Sequence, residues 1–125
     1  MLLSTVLLPL LFGVIQTKPA PVFADVSFGT NGPYRFLVDT AAQTTLIDPA
    51  LAAQLGLQPK FRIEVIMQHG SRLAPGLNVS TLRIGNRQLP ETEVLFYDMA
   101  EARRLYPNVQ GILGLNALVH FDFLM

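Results

Sequence analysis

Apolar and polar side chains alternate in the first clear element: Val22, Ala24, Val26 and Phe28 share one side of a period-two pattern, which predicts a strand with one buried face. Gly29-Thr30-Asn31-Gly32-Pro33 punctuates the chain, and 34–38 (Tyr-Arg-Phe-Leu-Val) resumes as a second strand. The two read as a pair joined by a Gly/Asn turn. The second run is largely apolar, as in a strand covered on both faces, and it stops at Asp39.

The period changes after Thr44-Thr45-Leu46-Ile47. Asp48 as N-cap, Pro49 at the first helical position, the run Ala50-Leu51-Ala52-Ala53-Gln54-Leu55 and a stop at Gly56 predict a short helix. Phe61–Met67 reads as strand, His69-Gly70-Ser71 as a turn, and 77–84 as the returning strand, closed by Gly85-Asn86. Together they form a long hairpin. A further strand is expected over 92–97, then a helical segment over 99–105 capped by Asp98 and broken at Tyr106-Pro107-Asn108. Gly111-Ile112-Leu113-Gly114 reads as a glycine-bounded apolar strand leading into a short helical turn, with 119–123 as a final strand. The expected fold is mainly β with short helices. No repeat or low-complexity linker divides it, so one compact unit is expected over 22–125; Met125 ends within an apolar strand, so either that strand pairs with a partner molecule or the domain is C-terminally truncated, the reading expected here.

Composition narrows the function. Half of the 125 residues are hydrophobic and 14% are charged, which favours burial over disorder. Nine basic residues balance nine acidic ones, so nucleic-acid binding and attraction to an anionic membrane surface have little electrostatic support. With no cysteine there is no disulfide framework, thiolate nucleophile or cysteine-bound zinc. Residues 2–15 form an uncharged apolar run of signal-peptide length, short for a membrane span. Residues 1–20 are accordingly expected to be a signal peptide or an N-terminal anchor, with an uncleaved tether through 2–15 or a buried helix as the alternatives. Cleavage fits either near Ala20 or after Val22-Phe23-Ala24, and the protein would be secreted, periplasmic or membrane-anchored.

The candidate chemistry lies where the second strand stops. An Asp after a strand is ordinarily a turn-former. Here Phe36-Leu37-Val38 precedes Asp39, Thr40-Ala41-Ala42 follows it, and Ile112-Leu113-Gly114 recurs downstream before Leu115-Asn116-Ala117-Leu118. These two motifs, in this order, resemble those of the retropepsin-like aspartic proteases, whose active-site loop runs apolar residues, Asp-Thr-Gly-Ala, then hydroxyl-bearing and apolar residues. The resemblance spans about 22–123. Asn31-Gly-Pro-Tyr-Arg-Phe36 and Leu55-Gly56 are most similar to secreted or membrane-tethered bacterial members.

That resemblance implies a closed β-barrel, the half of an acid protease, working as a homodimer on polypeptide substrates without cofactor or metal. Only one Asp-Thr loop is present, so a pair of carboxyls requires Asp39 from each of two protomers. Asp39 is then the catalytic group, Thr40 braces the paired loops, the backbone near Ala41 and Ala42 lines the cleft, and the hairpin around His69, Gly70 and Ser71 is the substrate-covering flap, with Gly70 and Gly76 permitting its motion. Ala41 stands where active members have Gly, which leaves a non-catalytic peptide-binding or dimerisation module as the competing reading.

Other constellations carry less. His69, His120 and Asp122 match no familiar metal spacing. Gly111 to Gly114 lacks the Gly-Lys-Ser/Thr ending of a phosphate loop, and Ser71 beside His69 has no orienting partner for nucleophilic catalysis. Asn78-Val79-Ser80 is a glycosylation sequon that matters only in a eukaryotic secretory route.

Overall fold

The computed structural model describes residues 5–7, 20–67 and 69–121. Among these residues ten strands form one sheet: β1 (Thr5–Leu7), β2 (Val22–Phe28), β3 (Asn31–Val38), β4 (Thr45–Ile47), β5 (Phe61–Met67), β6 (Gly70–Val79), β7 (Leu82–Ile84), β8 (Arg87–Gln88), β9 (Thr92–Phe96) and β10 (Val109–Leu113). Among the described residues three short helices accompany them, α1 (Pro49–Gln54), α2 (Ala100–Leu105) and α3 (Leu115–Leu118). The strands follow the order β1-β5-β6-β9-β4-β10-β3-β2-β7-β8. The sheet is open, with β1 and β8 at its two ends, so the expected closed barrel is not formed.

Period-two alternation sends successive side chains to opposite faces, and the two faces carry two separate cores. On one face Leu37, Leu46, Leu95 and Ile112 line up across four paired strands, joined by Ile63, Val65 and Ala74 of the β5–β6 hairpin and covered by Met99 and Ala102 from the α2 segment. On the other face Phe36, Ile47, Val94 and Leu113 pack with Val26, Phe28, Leu77, Val79 and Leu82, under α1 and α3. Each large aliphatic side chain so buried contributes about 1.5–3 kcal/mol. This explains why 34–38 reads as a largely apolar run and 111–114 as a glycine-bounded apolar strand: they belong to central strands with a core on each side.

Asp48 starts α1, its Oδ2 accepting from the Ala50 amide at 3.2 Å with Pro49 at the first position. Gly56, at φ +73°, ends the helix while the Leu57 amide returns to Ala52 O at 2.9 Å. Leu51 and Ala52 are the buried side of this single amphipathic turn.

Several expected boundaries move. The return strand of the hairpin is β6, which begins at Gly70 and stops at Val79; 77–84 is not one strand, because the chain leaves β9 after Val79 and Leu82–Ile84 pairs with β2 instead. Thr45–Ile47 is a buried strand wedged between β9 and β10. The final strand over 119–123 is replaced, as far as Phe121, by the end of a helical turn, with Val119 N on Leu115 O, His120 N on Ala117 O and Phe121 N on Leu118 O. Residues 122–125, Asp122 included, and most of the expected leader lie outside the described residues. Thr5–Leu7 pairs in parallel with β5 over Thr5↔Glu64 to Leu7↔Ile66. Among the described residues no helix is long and apolar enough to cross a membrane.

Candidate active site

Asp39 sits where β3 leaves the middle of the sheet. Its amide donates to Leu113 O at 3.1 Å, extending the parallel β3–β10 ladder by one step beyond Val38↔Leu113. The chain then turns sharply. The Ala42 amide donates to Asp39 O at 3.3 Å, and the Ala41 amide donates to Asp39 Oδ1 at 2.7 Å, so the carboxylate is oriented by its own turn. Asp39 is 4% exposed, whereas Thr40 and Ala41 on the outside of the turn are exposed and Ala42 is buried in the same core as Leu37 and Ile112.

The second motif holds this turn from beneath. Leu115 N donates to Ala42 O at 2.8 Å and Asn116 N to Gln43 O at 3.2 Å, so the first turn of α3 reads the backbone of the Asp39 loop. Gly114 has no room for a side chain, since a Cβ there would lie 2.6 Å from both Thr44 C and Thr44 O. Gly111 is constrained likewise by the Phe36 ring and by Leu46 O at 2.5 Å. These glycines permit the close approach of backbones rather than an unusual φ. The structure thus brings Asp39, Ala42, Leu113 and Gly114 into one unit.

The hairpin β5–β6 turns between Met67 and Gly70, with Gly70 at φ +129°. His69, Gly70 and Ser71 are at its exposed tip. Ser71 Oγ donates to Glu64 Oε2 at 2.9 Å across the hairpin, so the hydroxyl is engaged with a carboxylate rather than with His69. Arg72 places its guanidinium 5.0 Å over the Tyr97 ring and links the hairpin to the segment after β9. Gly76, expected to lend the hairpin mobility, is instead a packing glycine: a Cβ would stand 2.7 Å from Leu95 Cδ2 and 2.8 Å from Val94 O.

A family model described as aspartyl protease matches residues 24–117, well over half of the chain and inclusive of both motifs. The chain belongs to the aspartyl protease family. Among solved structures, a retropepsin-like aspartic protease from Rickettsia conorii is similar with a TM-score of 0.60, covering 85% of this chain and 83% of that one at 19% identity. The fold of this aspartyl protease family member is therefore retropepsin-like. No curated protein matches the sequence.

Two residues of the aspartyl protease core were not singled out in the sequence. Thr45 and Asn116 lie at the end of the Asp39 loop and just after Gly114, and their side chains meet: Thr45 N and Thr45 Oγ1 both donate to Asn116 Oδ1, at 3.0 and 2.8 Å. The Gly114 amide in turn donates to Thr45 Oγ1 at 3.2 Å, and Asn116 Nδ2 donates to Glu93 O at 2.8 Å. A local signal existed in the hydroxyl-bearing run after Asp39 and in the polar residue following Gly114-Leu115. Burial raises the Glu93 carboxyl above its ordinary value.

Proposed function

We propose that the chain is an aspartic endopeptidase that works as a homodimer through the Asp39 carboxyl of each protomer. The observation that carries this reading is the Asp39 turn: a carboxylate oriented by the Ala41 amide at 2.7 Å and buried, flanked by exposed Thr40 and Ala41. Two such carboxyls brought together across a two-fold axis cannot both ionise cheaply, so the pair holds one proton and titrates in two coupled steps. The ionised member takes a proton from a water held between them, and the protonated member polarises the substrate carbonyl. Water adds to that carbonyl, giving a tetrahedral intermediate; its collapse sends a proton to the departing amine and breaks the C–N bond. Thr40 braces the two loops, and the β5–β6 hairpin folds over an extended polypeptide and excludes water. The apolar run at 2–15 supports export or tethering to a membrane.

The competing reading, a binding or dimerisation module without catalysis, rests on Ala41. Ala41 is exposed, and among the described residues Asn108 alone is a non-glycine with positive φ. The methyl group is therefore compatible with the turn, which favours the catalytic reading.

The test is cleavage of an unfolded polypeptide by the purified chain. A bell-shaped pH profile, inhibition by a statine-type compound and loss of cleavage in Asp39→Asn are expected, with a dimer in sedimentation. Persistent cleavage by Asp39→Asn would remove Asp39 as the catalyst. An active species that is strictly monomeric would overturn the paired site.

A further inference from the structure

The loop from Asp39 to Thr44 is held almost wholly by backbone. Asp39 N reaches Leu113 O, Leu115 N reaches Ala42 O and Asn116 N reaches Gln43 O, and none of these bonds specifies a side chain. Where the loop passes into β4, the tie is made by side chains. Asn116 Oδ1 accepts both the amide and the hydroxyl of Thr45, and the Thr45 hydroxyl, having donated there, accepts from the Gly114 amide. The carboxamide cannot turn over without losing three bonds, because its Nδ2 is committed to Glu93 O on β9. Thr45 is fully buried, so water is not available to replace its partners.

We infer that Asn116, acting through Thr45, is a positioning residue for the Asp39 loop; this rests on the reading of Asp39 as the catalytic acid. Gly114 presses against the Thr44 backbone with no space for even a methyl group, so a displaced Thr45 displaces the second motif and the loop together. A shift of about 1 Å at a reacting group lowers a rate by about a hundredfold. The carboxamide therefore acts on turnover, not on the binding of a peptide that it does not touch.

The discriminating experiment uses the full chain in three variants. Thr45→Val keeps the shape and removes the hydroxyl, Thr45→Ser restores it, and Asn116→Asp keeps an acceptor for Thr45 while losing the donor to Glu93 O. Each is measured for kcat, KM, the pH profile of kcat/KM, and the titration of the Asp39 carboxyl carbon by NMR, at temperatures giving equal folded fractions. Thr45→Val and Asn116→Asp are expected to lower kcat by about tenfold or more with KM little changed, and to move the Asp39 titration. Thr45→Ser is expected to recover most of the parental kcat. Unchanged kcat and an unchanged Asp39 titration in Asn116→Asp overturn the inference, and this holds even where Thr45→Val does not fold. A chain that cleaves nothing overturns the Asp39 reading instead. The Asp39 titration then still decides the positioning role, because it needs no turnover.

Discussion

Asp48 and Met99, 51 residues apart in sequence, are joined by one buried bond in which the Met99 amide donates to Asp48 Oδ1 at 2.9 Å. The same oxygen accepts from Arg103 Nη2 at 3.4 Å, while Oδ2 caps α1. One carboxylate thus fixes the starts of α1 and of the α2 segment, and Arg103 carries the tie on to Val109 O at 3.2 Å. Asp48→Ala removes a cap worth about 1 kcal/mol and strands a buried amide at about 1–3 kcal/mol. The expected loss is about 2–4 kcal/mol in urea unfolding, with Asn at the position losing about half as much. A loss below about 0.5 kcal/mol for Ala would mean that the Met99 amide finds another partner.

Gly114→Ala drives a methyl group against the Thr44 backbone. Overpacking of this kind costs about 1–3 kcal/mol, and here the strain falls on the Asp39 loop, so cleavage should fall with stability. Gly85 is the matched control: its φ is +61° and nothing lies within 4 Å of a Cβ. Gly85→Ala should lose about 1 kcal/mol from backbone strain alone and leave turnover at the parental level. Equal effects of the two variants on turnover would contradict the packing account.

Ala41→Gly separates conformational need from motif resemblance. Since Ala41 is outside the positive-φ region, glycine adds only freedom to the unfolded chain, and stability should drop by about 0.4–1 kcal/mol. Turnover should stay where it was. A clear rise in kcat would show that the methyl group obstructs the substrate.

Glu93 gives a pH dependence of definite sign. Its folded-state carboxyl titrates above its ordinary value because burial disfavours the anion. The folded chain therefore holds that proton more tightly than the unfolded chain does. Its contribution is favourable below the unfolded value and is lost as pH rises through the raised, folded one. Glu93→Gln should melt higher than the parent at pH 7, the gap closing below about pH 4. Thermal melts across this range, with a gap that grows on acidification, would reverse the assignment.

What the sequence disclosed depended on how local the cause was. Asp48-Pro49 with Gly56 declares α1 because cap, first-turn proline and stop all act within nine residues. Val22–Phe28 declares itself by alternation. The run 77–84 alternates only in two pieces, Leu77 and Val79 and then Leu82 and Ile84, and the slip at Ser80-Thr81 is where one strand on β9 gives way to another on β2; a two-residue break is a weak local signal, and the partners decide it. His120 and Phe121 look like strand residues but are captured by helical bonds from α3. Thr45–Ile47 is too short and too uniformly buried to show a period. At the site, Asp39 and Gly114 stood out through motifs of several residues, whereas Thr45 and Asn116 are defined by each other across 71 positions.

The strand order has a consequence in time. β4 lies between β9 and β10, and β3 lies between β10 and β2, so the Asp39 turn takes its neighbours from the last part of the chain. Asp39 emerges early in synthesis, but Leu113, Leu115 and Asn116, which hold its loop, emerge 74 to 77 residues later. Closing such a span precedes any reward from the contacts it makes, which slows folding relative to local pairing. The turn is accordingly among the last features to set, and a nascent chain acquires its aspartate long before it acquires a place to put it.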